Sequence, residues 1–131
     1  MYTFSQNERL KSRKIISRLF REGQAFVAYP LRVVWLPLSP EESAEAGFGA
    51  LPAQLAVSVP RRAFKTAVAR NRLKRRIREA YRLHKHLFYD MLTASDRRIA
   101  LMLVFLDKEE AAYPAIEAGV LKMIRKFPTP A

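Results

Sequence analysis

The hydrophobic positions along the chain change period several times, and each change predicts a new element of secondary structure. Helical spacing, with apolar residues every three or four positions, alternates with the two-residue period of strands. The predicted elements are a helix over residues 12–23, one bent or two short strands over 24–38, a strand over 54–59, a long helix over 66–92, a strand over 99–106 and a helix over 111–126. This αβββαβα order predicts an α+β fold, a two-layer α/β sandwich with a mixed four-stranded sheet and flanking helices.

Turn-forming residues mark several boundaries of these elements. Ser12 is a candidate N-cap of the first helix and Gly23 its terminator, while Pro30 divides the strand region that follows. Three prolines, two glycines and a cluster of glutamates over residues 37–52 predict a solvated loop. We expect residues 39–53 to form its flexible part.

Composition indicates the class of partner. The length of 131 residues fits one domain over residues 1–131, and the apolar half of the sequence indicates a globular protein rather than a disordered basic tail. The formal net charge is +12, from 24 Lys and Arg against 12 Asp and Glu. Such a charge predicts binding to a polyanion, with nucleic acid as the first candidate. An anionic membrane surface is the alternative, but it needs a basic helix whose opposite face offers Trp, Phe or Leu to lipid.

Residue types and segments that are missing narrow the chemistry further. The absence of cysteine excludes disulfides, thiolate catalysis and cysteine zinc sites, and it fits a cytoplasmic location. Residues 1–21 carry no apolar run long enough for a signal peptide, and no window approaches the length of a membrane span. We therefore expect a cytoplasmic protein without a membrane partner.

The candidate binding site is the segment of residues 61–78, in which nine of eighteen positions are Lys or Arg. A run of charge is usually a solvated helix face, but several basic residues here, such as Arg72 and Arg76, lie four positions apart. Each like-charged pair at this spacing destabilises a helix by about 0.2–0.5 kcal/mol. Glu79, facing Arg75 or Arg76, would offset only part of this cost. A bound polyanion would remove the repulsion and release counterions.

The choice of basic residue favours RNA as the polyanion. Seven of the nine basic residues are Arg, whose planar guanidinium suits bidentate phosphate contacts and stacking on bases. The segment has no helix-turn-helix spacing, zinc ligands or leucine zipper, which disfavours the common DNA-binding motifs. From the residues alone, the conclusion is a nucleic-acid-binding α+β domain.

The order of residues in this segment resembles a known family. Residues 68–82, VARNRLKRRIREAYR, closely resemble the signature of the bacterial ribonuclease P protein family, an Arg-Asn-Arg core followed by Lys-Arg and Arg-Glu at helical spacing. The preceding SVPRRAFKTAV is similar to the family's strand end with paired basic residues, and LKSRKIISRLFREG is similar to its opening helix. Two features depart from the family pattern. The link from Arg62 to Val68 is slightly longer than in many members and lacks their glycine, and Ile16 stands where an aromatic residue is expected.

The resemblance implies a fold and a function, which are expectations at this point. The fold is the ribosomal protein S5 domain 2-like arrangement, with an uncommon left-handed crossover that carries the basic helix. The function is that of the non-catalytic protein subunit of an endoribonuclease. It binds the catalytic RNA subunit and the 5′ leader of precursor tRNA, as a monomer with one protein per RNA. Mg²⁺ held mainly by the RNA activates the attacking water.

The resemblance also assigns roles to individual residues. The matched RNA-binding residues are Arg61, Arg62, Lys65, Arg70, Asn71, Arg72, Lys74, Arg75 and Arg78. The candidate leader cleft, between the sheet and the first helix, is lined by Ile16, Phe20, Val33 and Trp35.

Other residues whose side chains could bind a metal or take part in catalysis do not indicate a second site. His84 and His86 face opposite ways on a helix, so we expect no shared metal, and His84 lies on the apolar stripe as a packed residue. The acids Asp107, Glu109 and Glu110 are assigned no metal, and no pairing of nucleophile and base is visible. Two other classes stay open on the sequence: a ribosomal or chaperone-like structural RNA-binding protein, and a basic single-subunit nuclease.

Overall fold

The secondary structure follows the predicted order with two additions. The computed structural model describes residues 5–128. Its helices are α1 (Arg13–Glu22), α2 (Pro40–Glu45), α3 (Ala67–Ala94) and α4 (Tyr113–Lys126), and its strands are β1 (Gln24–Ala28), β2 (Leu31–Pro37), β3 (Ala53–Ser58) and β4 (Ile99–Phe105). The additions are α2 and a 3-10 turn, Gln6–Glu8. Over residues 5–128, none of the helices combines the length and the apolar character that crossing a membrane requires.

The four strands form one mixed sheet in the order β1-β2-β4-β3. β2 pairs antiparallel with both β1 and β4, whereas β3 and β4 are parallel. Parallel neighbours need a crossover connection, and α3 provides it. The predicted α+β class and the mixed four-stranded sheet with flanking helices are confirmed. The hand of the crossover stays a prediction.

Alternation along β2 divides the sheet into two faces. Leu31, Val33 and Trp35 point to the face on which α3 and α4 pack, and they belong to the larger apolar core. Leu36 points to the opposite face, where it joins Met102 and the buried side chains of α1 in a second core. Helices therefore lie on both faces, and the two-layer description is refined by a partial third layer that the short α1 provides.

Helix α1 begins and ends at the predicted residues. The Ser12 hydroxyl accepts a hydrogen bond from the Ile15 N–H at 3.2 Å, which is an N-cap. At Gly23, a Cβ would lie 2.5 Å from the carbonyl oxygen of Leu19 and 2.9 Å from Val34 Cγ1. A larger residue would therefore obstruct the passage from α1 into β1. Ser12 as cap and Gly23 as terminator are both confirmed.

The predicted loop over residues 37–52 is wrong over Pro40–Glu45, which form α2. The flexibility expected of residues 39–53 stays a prediction. The Ser39 hydroxyl accepts a hydrogen bond from the Glu42 N–H at 3.1 Å, and the Glu42 carboxylate accepts one from the Ser39 N–H at 2.9 Å. This capping box, with Pro40 in the first turn, is a helix-start signal that the richness in proline and glycine concealed. Phe48, only 1 % exposed, then packs into the α1-side core.

Candidate nucleic-acid interface

Helix α3 carries most of the basic segment and packs firmly against the larger core. It begins at Thr66, whose hydroxyl accepts a hydrogen bond from the Ala69 N–H at 3.2 Å. Its apolar stripe, which includes Leu73, Ile77 and Tyr81, is fully buried in the larger core. Side chains follow one another at about 100° around a helix. Because this stripe faces the core, the basic residues of α3 lie on the sides of the helix that flank it.

One flank of α3, with the loop before it, carries polar and basic side chains that have no partner in the described part of the chain. We call this set the open basic surface; it comprises Arg61, Arg62, Lys65, Asn71, Lys74, Arg75 and Arg78. Within residues 5–128, these side chains form no hydrogen bond or ion pair. Their hydrogen-bonding groups are thus available to an external anion.

The opposite flank of α3 is tied to an acidic residue that follows β4. The Arg72 guanidinium donates two hydrogen bonds to the Glu110 carboxylate, from Nε to Oε1 and from Nη2 to Oε2, both at 2.7 Å. Arg76 Nη1 lies 3.5 Å from Glu110 Oε1 and donates to the carbonyl oxygen of Ala111 at 2.8 Å. The hydrogen bonds to Arg72 hold the pKa of Glu110 below its usual value. Glu110 therefore neutralises part of the predicted RNA-binding set.

Internal contacts also engage one further member of the basic segment, Arg70, and the pair Glu79 and Arg82 just beyond it. Arg70 Nη1 donates a hydrogen bond to the carbonyl oxygen of Phe64 at 2.7 Å, which braces the loop before α3. Glu79 pairs with Arg82, whose Nε donates to it at 3.0 Å. Among the described residues, Glu79 therefore pairs with Arg82 and not, as was expected, with Arg75 or Arg76. Arg82, the partner of Glu79, lies one turn further along the helix.

A strip of the sheet on the α1 side stays partly uncovered. In register across all four strands, this sheet strip consists of Val27, Arg32, Val104 and Ser58. Val27 is 52 % exposed and Arg32 is also exposed, while Val104 and Ser58 are half-buried. Ser58 ends β3 and is followed by the loop that carries Arg61. The sheet strip therefore leads towards the open basic surface.

The four predicted cleft residues are divided between the two faces of the sheet. On the α1 side, Ile16 is half-buried and Phe20 is 72 % exposed. Val33 and Trp35 are wrong as cleft residues, because they are 0 % and 6 % exposed and point into the core beneath α3 and α4. The Trp35 ring centroid lies 4.9 Å from that of Phe127.

The cleft assignment failed because residues 33–36 are all apolar and show no alternation. Arg32, the one charged residue of β2, carried the signal that was missed, since a charged side chain marks the solvent-facing side of a strand. With Arg32 outward, the pleat turns Val33 and Trp35 inward and places Val34 on the same side as Arg32.

Other polar groups connect elements rather than forming a reaction centre. His84 Nε2 lies 2.9 Å from Glu117 Oε2, which joins α3 to α4. His84 is half-buried on the packed side of α3, as expected. In the described part of the chain, no three His, Asp or Glu side chains are grouped so that they could hold a metal ion.

Known proteins of one family are similar to this chain in sequence. The family model for Ribonuclease P matches residues 4–127. A ribonuclease P protein component of Porphyromonas gingivalis is 43 % identical over 105 residues, covering 80 % of this chain and 70 % of that protein. One of Chlorobaculum tepidum is 31 % identical over 115 residues, covering 86 % and 72 %.

The fold is shared with solved structures. The RNase P protein of Thermotoga maritima superposes with a TM-score of 0.67 at 20 % identity, covering 93 % of this chain and 99 % of that one. The RNase P protein of Staphylococcus aureus gives a TM-score of 0.63 at 19 % identity, covering 92 % and 98 %. The family model accounts for nearly the whole described domain, including α3 and its basic residues, and the chain therefore belongs to the bacterial ribonuclease P protein family.

Proposed function

We propose that this chain is the RNA-binding, non-catalytic subunit of a ribonuclease P that removes the 5′ leader of precursor tRNA. The observation that carries the proposal is the open basic surface, whose side chains have no hydrogen-bond or ion-pair partner among the described residues although the apolar stripe of the helix beneath them is fully buried. A basic helix with only a structural role would be stabilised by acidic residues placed near its basic ones. Glu110 provides such a counter-charge on the opposite flank. The open flank instead suits the phosphates of a folded RNA.

The RNA subunit is proposed to bind mainly through electrostatic contacts. Each phosphate that the open basic surface neutralises releases counterions and contributes about 0.7–0.9 to the log-log salt dependence of affinity. Asn71 is the uncharged member of the surface and can both donate and accept hydrogen bonds. Because α3 is already anchored, little helix ordering has to accompany binding.

The leader is proposed to bind between α1 and the sheet strip. Phe20 offers an exposed aromatic face for stacking, and Arg32 offers a guanidinium to the leader backbone. The sheet strip and the open basic surface adjoin at the end of β3. A precursor tRNA bound along the strip would therefore meet an RNA subunit bound to α3.

The cleavage chemistry is assigned to the RNA. Mg²⁺ is proposed to be held mainly by RNA phosphates, as the family resemblance implies. The protein's own contribution is then to neutralise repulsion between two RNAs and to position the leader.

The test is cleavage of precursor tRNA at low magnesium concentration, with and without the cognate RNA subunit. Correctly placed cleavage should require the RNA, and the protein should stimulate it. Metal-dependent cleavage by RNA-free protein would instead identify a protein nuclease. Sedimentation with ribosomes, without any stimulation of the RNA, would identify a structural RNA-binding protein.

A further inference from the structure

The segment before α1 is fixed to the domain from two sides. Glu8, only 4 % exposed, accepts hydrogen bonds from Lys85 Nζ at 2.5 Å and from the Tyr89 hydroxyl at 2.6 Å, both on α3. Two residues later, the Leu10 N–H donates to the carbonyl oxygen of Leu55 on edge strand β3 at 2.9 Å. The residue between these anchors is Arg9, which also forms a backbone bridge with Leu55.

These anchors bring Arg9 to the basic helix. Its exposed side chain lines a surface pocket of about 320 Å³ together with Arg75, Arg78, Glu79 and Arg82. Glu79 is engaged by Arg82. Among the described residues, the pocket lining thus carries four guanidinium groups and one carboxylate.

The electrostatics of this pocket favour an anion. Burial, and secondly the charge of Arg9, lower the pKa of the Arg78 guanidinium, which nonetheless stays protonated at neutral pH. Positive charges held close together repel one another, and a bound anion converts that repulsion into attraction. The anchors at Glu8 and Leu10 also reduce the ordering that Arg9 would need on binding.

We propose that Arg9, Arg75 and Arg78 form a preformed site for one phosphate group of the RNA backbone, with the N-terminal segment supplying Arg9. Arg75 and Arg78 belong to the open basic surface, so the pocket continues the surface proposed to bind the RNA subunit. Guanidinium groups at a pocket wall can each donate paired hydrogen bonds to phosphate oxygens. The inference rests on the proposed function and adds to it a residue 66 positions before Arg75 in the sequence (75 minus 9).

The first test measures the affinity of the full chain for the ribonuclease P RNA subunit over a series of KCl concentrations. Arg9→Gln should weaken binding roughly fivefold at 0.15 M salt and lower the log-log slope by about 0.7–0.9, as expected for one lost phosphate contact. Arg9→Lys keeps the charge and should retain most of the slope. Arg125→Gln, an exposed arginine in the last turn of α4, is the matched control and should leave the slope unchanged.

A double-mutant cycle then tests whether two arginines share one phosphate. Arg9→Gln combined with Arg78→Gln should lower the slope by about as much as either change alone, near 0.8. Arg9→Gln combined with Arg61→Gln should lower it by roughly 1.6, since those residues contact separate phosphates. Additive losses for Arg9 and Arg78 would overturn the shared site.

The outcomes also separate this inference from the proposed function. If Arg75→Gln and Arg78→Gln lower the salt slope but Arg9→Gln does not, the inference fails and the RNA-binding role of α3 stands. If none of the three changes lowers it, the proposed interface itself fails. Saturable binding of inorganic phosphate at constant ionic strength that Arg9→Gln abolishes, without any change in RNA affinity, would assign the pocket to a free anion instead.

Discussion

The buried pair of Glu8 and Lys85 provides a quantitative test of how the N-terminal segment is held. The two side chains are only 5 % and 10 % exposed, and their charged atoms are 2.5 Å apart. Removing one partner of a buried ion pair leaves an uncompensated charge and costs about 3–5 kcal/mol. Lys85→Met should therefore destabilise the protein by about 3–5 kcal/mol, even though Tyr89 and Ser5 still donate hydrogen bonds to the carboxylate.

A variant that lacks both charges gives the decisive comparison with the single change. Replacing both residues, in Glu8→Met with Lys85→Met, removes both charges, and a well-packed apolar pair is often neutral or stabilising by about 1–4 kcal/mol relative to the ion pair. The double variant should therefore be much more stable than the sum of the single changes predicts. For a chain of 131 residues, 1 kcal/mol corresponds to roughly 4 °C in Tm, so the Lys85→Met loss amounts to about 12–20 °C.

Urea denaturation followed by far-ultraviolet circular dichroism measures these differences. Lys108→Met, a change at an exposed lysine, is the control and should alter the free energy of unfolding by no more than about 0.5 kcal/mol. A loss below about 1 kcal/mol for Lys85→Met, or additive losses in the double variant, would refute the argument that burial sets the cost.

The pH dependence of stability gives an independent check on Glu8. Burial by itself would raise the pKa of Glu8, but hydrogen bonds from Lys85, Tyr89 and the Ser5 amide together outweigh it and hold the pKa below its usual value of 4.5. A carboxyl with a lowered folded-state pKa stabilises the protein above its unfolded pKa and loses that contribution as pH falls through the folded value. Wild type should therefore lose stability below about pH 4.5 more steeply than the double variant does.

Three further predictions follow from the same contacts. Glu110→Gln removes the counter-charge of Arg72, so RNA affinity should rise and its log-log salt dependence should steepen by about 0.7–0.9 in a filter-binding assay; weaker binding would show that Glu110 positions Arg72 for RNA. Phe20→Ala should cost about 1–3 kcal/mol of affinity for precursor tRNA but leave binding of leaderless tRNA unchanged, whereas Trp35→Ala should destabilise the fold by about 3–5 kcal/mol with no leader-specific loss. Gly119→Ala should lower the free energy of unfolding in urea by about 1–2 kcal/mol, because the new Cβ would approach the turn between β1 and β2 to 3.0–3.2 Å. This overpacking should outweigh the gain in helix propensity. An unchanged free energy of unfolding would show that the turn can move aside.

The sequence by itself determined most of the elements, though not α2, and indicated the chemical class of the proposed partner. The change from helical to strand period, with Ser12 and Gly23 as local end signals, was enough to place α1, because caps act within a few residues. The density of Arg over residues 61–78 indicated a polyanion, since that signal is also local. The order of residues around Asn71 was enough to indicate the family.

Only the tertiary structure decided which side chains are open to solvent and which are engaged inside the protein. The run of apolar residues in β2 did not reveal that Val33 and Trp35 point towards α4, because facing depends on the neighbouring strands and helices. Arg72 and Glu110 are 38 positions apart, and Glu8 and Lys85 are 77 apart, so neither pairing could be read from the sequence. Local patterns specify which elements form, whereas long-range packing determines where each charge lies and which partner it has.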